Sequence, residues 1–292
     1  RQLEFHGGVN FLKGGIVFAD LVTTVSPRYA RELLLEEYGC GLEGVFQSRV
    51  GTLTGVLNGV DYNEWNTTDN PHLAAAYSAD SLDGKHLNKL ALQREFGLPE
   101  LADVPLFGNI SRFTDQKGID ILLGALEQLL SSSLIFQFTG LGSGDSLLEQ
   151  SMSSLAKRYP KQVAVKIGYD TGLAHRIEAG SDFYLMPSRF EPCGLNQLYS
   201  LRYGSVPIVR ATGGLDDSVI DLGHGEDMAT GIKFGDCSVT ALGQALGQAQ
   251  ELFADRERLA KVRDNGMRTD FSWTRTTAEY EKLYAKIKKP TA

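Results

Sequence analysis

The sequence predicts an α/β fold built on a doubly wound parallel sheet. Three observations carry this. From Val104 onward, short apolar runs alternate with helical patterns. The connections between them are short and contain glycine. Ile119, Leu122, Leu123, Leu126, Leu129 and Leu130 recur at the spacing of an amphipathic helix. Ligands of such sheets bind at the carboxyl ends of the strands, so the loops there are where chemistry is expected.

The elements follow in order. Phe11-Leu12 and Ile16-Val17-Phe18 read as a helix feeding a strand over 21–25 that ends at Ser26-Pro27. A helical pattern covers 28–38 and stops at Gly39; residues 40–54 are glycine-rich and loop-like. Residues 56–61 read as a short strand closed by an Asn-Gly turn, and 62–86 as a polar excursion with Trp65 and Pro71. A helix spans 85–96 and ends at Gly97. Strands are then expected at 104–110, 134–138, 163–167, 183–186 and 206–209. Helices are expected at 119–130, 146–158, 173–179, 194–203 and from about Asp216. The tail over 240–289 is mostly helical, interrupted at Phe271-Ser272-Trp273, where Ser272 is placed to cap the last helix.

Composition narrows the function. The 292 residues are 42% hydrophobic and 22% charged, an ordinary globular balance. A net charge of −7 argues against a general nucleic-acid binder, which carries a basic field. Cys40, Cys193 and Cys237 are odd in number and far apart, so neither a disulfide framework nor a metal spacing is read from them. A reducing, cytoplasmic compartment is expected. The histidines form no ligand pair, no run has the length of a membrane span, and no signal peptide is recognised. Arg1 opens the chain in mid-pattern, from which an N-terminal truncation is expected.

Five segments carry candidate chemistry. The run 110–118 places Arg112 and Lys117 between a strand and a helix N-terminus, where cations and free N–H groups suit a diphosphate. The bland alternative is two solvated surface cations. Gly140-Leu141-Gly142-Ser143-Gly144 lacks the dinucleotide spacing and reads as a tight turn that lets backbone approach a ligand. Tyr169, after a strand, is a stacking platform for a base or else a packed rim aromatic. Glu191 stands at a strand end before a helix, with the N–H groups of Cys193, Gly194 and Leu195 beside it. An ionised carboxylate there accepts from sugar hydroxyls, or serves only the helix terminus. The Cys193 thiol itself is read as a small buried hydrophobe. Thr212-Gly213-Gly214-Leu215 opens a further helix, its glycines allowing backbone to approach phosphate. Lys13-Gly14-Gly15-Ile16, by contrast, lies inside a helical stretch and reads as structural.

These pieces resemble one family in order and spacing. Thr24-Val25-Ser26-Pro27, Leu57-Asn58-Gly59-Val60-Asp61, Ser111-Arg112 with Asp115-Gln116-Lys117-Gly118, residues 187–195, Thr212–Leu215 and Phe271-Ser272-Trp273 are similar to the C-terminal part of bacterial glycogen synthases and plant starch synthases. The resemblance implies a GT-B fold of two facing Rossmann-like lobes. It assigns 1–57 to the end of the first lobe, 58–265 to the donor-binding lobe and 266–292 to a helix packing back on the first. It implies transfer of glucose from ADP-glucose to the non-reducing end of an α-1,4-glucan, with retention of configuration, no metal or other cofactor, and neither nucleic acid nor membrane as partner.

By motif position, Arg112 and Lys117 would neutralise the diphosphate and Glu191 would hold the donor glucose. The amides of Gly213, Gly214 and Leu215 would bind phosphate, Tyr169 would stack on the base, and Asn58 would reach into the cleft. Two departures stand out: most of the first lobe is missing, and Tyr199 occupies the second position of the Glu-x7-Glu pattern that related enzymes use on ribose. The donor-binding half is therefore expected to elongate little glucan alone. A non-catalytic nucleotide- or glucan-binding module is the alternative. A hydrolase or phosphorylase ranks below both, since Glu191 has no evident acidic partner.

Overall fold

The computed structural model describes residues 2–132 and 134–287; the readings at Arg1 and at 288–289 lie outside them. A small hairpin, β1 (Glu4–Phe5) and β2 (Gly8–Val9), opens the chain. Then come α1 (Phe11–Phe18), β3 (Val22–Thr24), α2 (Pro27–Glu32), α3 (Glu36–Gly39), α4 (Glu43–Ser48) and β4 (Leu53–Gly55). Strands β3 and β4 pair in parallel, apart from the main sheet. Helix α2 begins where Ser26 accepts from the Tyr29 N–H with Pro27 in the first turn, a start signal legible in Ser-Pro.

The main body starts at α5 (Asp83–Glu95) and runs through β5 (Leu106–Phe113), a 3-10 turn at Asp115–Lys117 and α6 (Ile119–Leu130). It continues with β6 (Gln137–Gly144), α7 (Ser146–Arg158), β7 (Val163–Ile167), α8 (Thr171–Gly180), β8 (Phe183–Met186) and α9 (Asn196–Arg202). It closes with β9 (Val206–Arg210), α10 (Gly213–Ser218), β10 (Ile232–Phe234), α11 (Val239–Ala254), α12 (Arg256–Arg268) and α13 (Trp273–Ile287). The six-stranded sheet is parallel throughout, in the order β10-β9-β8-β5-β6-β7. The chain winds outward from β5 to β7, returns to β8 beside β5, and winds out the other way. A crevice opens at such a reversal, between the loops that leave β5 and β8.

The core explains why these segments pair. Phe107, Phe136, Phe138 and Phe183 are fully buried, and the Phe107 ring stands 5.5 Å from that of Phe183. The apolar stripe of α6 covers one sheet face through Ile119, Leu122 and Leu126. At about 25 cal/mol per Å² of apolar surface, each such side chain contributes roughly 1.5–3 kcal/mol.

Several expectations shift. The helix expected over 28–38 breaks after Glu32, because Leu35 is extended and begins α3 anew. Part of the expected loop at 40–54 is helical as α4, and Leu53–Gly55 forms the strand instead of 56–61. Val60 donates instead to Phe271 O at 2.7 Å, so this buried valine packs on the tail and outside the main sheet. The largest change is β6. The run Gly140–Gly144 is the end of that strand and no tight turn, paired with Asn109–Phe113 of β5. A Cβ at Gly142 would strike Ser111 O and the Phe113 ring, so glycine here lets the two strands close on each other. The segment Lys13–Ile16 lies in α1, as read. No helix among the described residues is long and apolar enough to cross a membrane.

Candidate functional site

A cleft of about 280 Å³ lies at the reversal, lined by the carboxyl ends of β5, β6, β7 and β8 and by the start of α9. The loop after β5 and the loop after β8 meet there. Lys117 Nζ donates to Glu191 Oε2 at 2.6 Å, and Ser188 Oγ donates to the same oxygen at 3.0 Å. Oε1 makes no hydrogen bond to a described residue. Glu191 is buried, whereas the Lys117 side chain is 18% exposed, so the ammonium stays reachable from the cleft.

The two loops are held together by contacts away from the pair. Gly118 adopts φ +64, and a Cβ there would strike Pro187 O, so the turn before α6 presses against the exit of β8. Arg189 N donates to Gln116 O at 2.8 Å, and Gln116 Nε2 donates to Phe190 O at 3.2 Å. The Arg189 guanidinium forks onto Asp120 at 2.8 and 2.7 Å. This planar bidentate pairing raises the arginine pKa and holds the Asp120 carboxyl below its ordinary range. On the cleft wall, Asn196 Nδ2 donates to Ile110 O at 2.8 Å and to Tyr184 Oη at 2.6 Å, tying α9 to β5 and β8.

Arg112 is exposed on the rim and donates to Gln116 Oε1 at 3.1 Å. Tyr169 follows β7 and also lines the cleft; at 91% exposed it is not a packed rim aromatic. Gly194, with φ +71, and Leu195 line it too. The N–H groups of Cys193, Gly194 and Leu195 have no acceptor among the described residues. The Cys193 thiol is buried behind them, which pushes its pKa up to about 11, and this suits a packing role over a nucleophile. So Arg112, Lys117, Tyr169, Glu191, Gly194 and Leu195 converge on one crevice.

The remaining candidates do not. Thr212, Gly213, Gly214 and Leu215 lie outside the cleft lining, and the three amides expected to bind phosphate are already engaged. Gly213 N donates to Glu32, Gly214 N to Glu191 O at 3.0 Å and Leu215 N to Thr212 O at 3.1 Å. Their glycines are needed because the Glu191–Cys193 backbone crosses here. A Cβ at Gly213 would strike Glu191 O, and one at Gly214 would strike Cys193 O. Asn58 lines a separate groove with Leu57, Phe271 and Thr276. Tyr199 stacks on Trp65, with ring centroids 3.6 Å apart, and so anchors the 62–86 excursion. Sequence reasoning missed Glu32, Asn196 and the Arg189–Asp120 lock. Each acts across a long sequence separation with no local pattern to mark it.

The profile described as "Glycosyl transferases group 1" matches residues 94–268, and that of the "Starch synthase catalytic domain" matches residues 1–48. The chain is 51% identical to a glycogen synthase of Koribacter versatilis (strain Ellin345) over all of its own length and 60% of the relative's. It is likewise 51% identical to one from Thioalkalivibrio sulfidiphilus (strain HL-EbGR7), over 97% of this chain and 59% of that one. The chain thus spans about 60% of the length of the curated relatives it matches. Among solved structures, the catalytic domain of starch synthase IV from Arabidopsis thaliana, bound to ADP and acarbose, superposes with a TM-score of 0.88. That match has 36% identity and covers 95% of this chain and 58% of that one. A sucrose-phosphate synthase from Thermosynechococcus elongatus shares the fold alone, with a TM-score of 0.64, 19% identity, and 97% and 63% coverage. The fold is of the GT-B type, and the chain belongs to the group 1 glycosyltransferases, on the branch of the glycogen and starch synthases.

Proposed function

We propose that this chain is the donor-binding part of a retaining glucosyltransferase that moves glucose from ADP-glucose to the non-reducing end of an α-1,4-glucan. The observation that carries the reading is the Lys117–Glu191 pair at the topological switch point, with Arg112 and Tyr169 on the same rim.

The chemistry follows from placement. The bond from glucose C1 to the β-phosphate oxygen breaks, and a bond from C1 to the acceptor O4 forms on the same face. The acceptor proton leaves with the departing phosphate. Negative charge develops on the diphosphate, and Arg112 and Lys117 are set to neutralise it without a metal. Glu191 accepts from glucose hydroxyls, while the unengaged N–H groups of Gly194 and Leu195 donate to the sugar. Tyr169 offers its exposed face to adenine. The relatives' names and the ADP in the starch synthase complex support the choice of donor, and the acarbose there supports a glucan acceptor.

Calorimetric titration of the chain with ADP tests the binding half; saturable heat is expected, and none would overturn it. A glucan-elongation assay tests the other half. Little product is expected from the chain alone, and full product after fusion to the remaining length of a relative.

A further inference from the structure

The carboxylate of Glu32 is 5% exposed and belongs to α2, outside the main sheet. It accepts from Thr212 Oγ1 at 3.2 and 3.3 Å and from Gly213 N at 3.1 and 3.2 Å. Arg28 Nε holds the same carboxylate at 3.1 Å, and Arg28 N donates to Asp217 Oδ2 of α10 at 2.6 Å. Contact therefore runs both ways between α2 and α10. The gripped turn is the one that seats the catalytic loop. Gly213 adopts φ +44 directly beneath Glu191 O, and Gly214 N donates to that oxygen at 3.0 Å. A charged acceptor on two donors of one turn fixes the turn more firmly than a neutral one. The turn then sets the backbone height from which the Glu191 side chain reaches Lys117.

We infer that Glu32 is a positioning residue for the donor-sugar site, acting through Thr212 and Gly213 on the backbone of Glu191. It couples the β3–β4 segment to the place where the glucose is held, so movement of that segment against the main sheet is felt more at the sugar than at the diphosphate, which Arg112 also serves. The inference rests on the donor-site reading above.

Titration of the chain with ADP and, separately, with ADP-glucose separates the two. Glu32→Gln replaces one accepting oxygen by an N–H₂ facing two donors. It is expected to weaken ADP-glucose about fivefold while ADP stays within about twofold of wild type. Thr212→Val leaves the carboxylate in place and removes one donor. It is expected to shift ADP-glucose in the same direction by less, and it decides the matter if Glu32→Gln fails to fold by circular dichroism. Equal weakening of both ligands would mark a general structural role and overturn the inference, as would unchanged ADP-glucose binding in both variants. A wild-type chain that binds neither ligand would instead overturn the donor-site reading, and the inference with it.

Discussion

Lys117 and Glu191 stand 74 positions apart in the chain and 2.6 Å apart in space. Their meeting needs the reversal of the sheet, which brings the β5 and β8 loops side by side, and the Arg189–Asp120 fork, which locks them. An ammonium has three donors, so Lys117 can keep the carboxylate and still offer donors to the proposed diphosphate.

Removing either cation should slow the proposed chemical step in the chain fused to the remaining length of a relative. Steady-state kinetics are expected to show kcat falling about 10²- to 10³-fold for Lys117→Ala and for Arg112→Ala. The structure separates their side effects. Arg112 is exposed and bonds one neighbour, so its loss leaves the melting temperature unchanged. Loss of Lys117 strips a buried carboxylate of its cation and is expected to cost about 1–3 kcal/mol of stability. Wild-type turnover in both variants would refute their role at the leaving group.

Tyr169→Ala should weaken ADP binding by about 1–3 kcal/mol, the usual worth of a base stacked on an aromatic ring. Because the ring is 91% exposed, the urea midpoint should not move. Unaltered ADP affinity by calorimetry would remove the ring from the base site.

Gly213→Ala is expected to destabilise the fold by about 2 kcal/mol or more. It adds strain at φ +44 to a collision with Glu191 O. Urea unfolding measures this, and a stability equal to wild type would show that the Glu191 turn gives way freely.

Glu178 offers a pH-dependent test. Neither carboxylate oxygen has a hydrogen-bond partner among the described residues, and burial raises its pKa well above the ordinary value. Lys85 Nζ, nearby, is engaged by Ala179 O, Tyr203 O and Ser205 Oγ. A folded pKa above the unfolded value of about 4.3 means the native state holds its proton longer. The cost of Glu178 is therefore absent below that pH. It grows as pH rises toward the folded pKa, and it is constant above. Glu178→Met should raise stability, by about 1–3 kcal/mol at pH 8 and by less at pH 5. An equal effect at the two pH values would contradict this.

Much of the candidate site was legible because it is local. A carboxylate after an apolar strand, two cations before an amphipathic helix and an aromatic after a third strand all mark strand ends from sequence. The strand β7 and the helix α7 fall where periodicity places them. Glycines were harder to read. Gly213 and Gly214 looked like a phosphate cradle, and Gly140–Gly144 like a tight turn where it is a strand end with Gly142 and Ser143 lining the cleft, because a missing Cβ announces close approach without saying by what. In the folded chain the approaching groups are the backbone of Glu191 and Cys193 in one case and Ser111 O in the other.

The sequence by itself determined the alternation of strand and helix, the family, and the residue types at the strand ends, since each depends on neighbours a few positions away. Only the tertiary structure decided which of those residues share a crevice. It paired Lys117 with Glu191, gave the Gly213 amide to Glu32, and left the Gly194 and Leu195 amides without an acceptor among the described residues. These outcomes turn on strand order and on hydrogen bonds between segments up to 181 residues apart, and no local pattern encodes a partner at that distance.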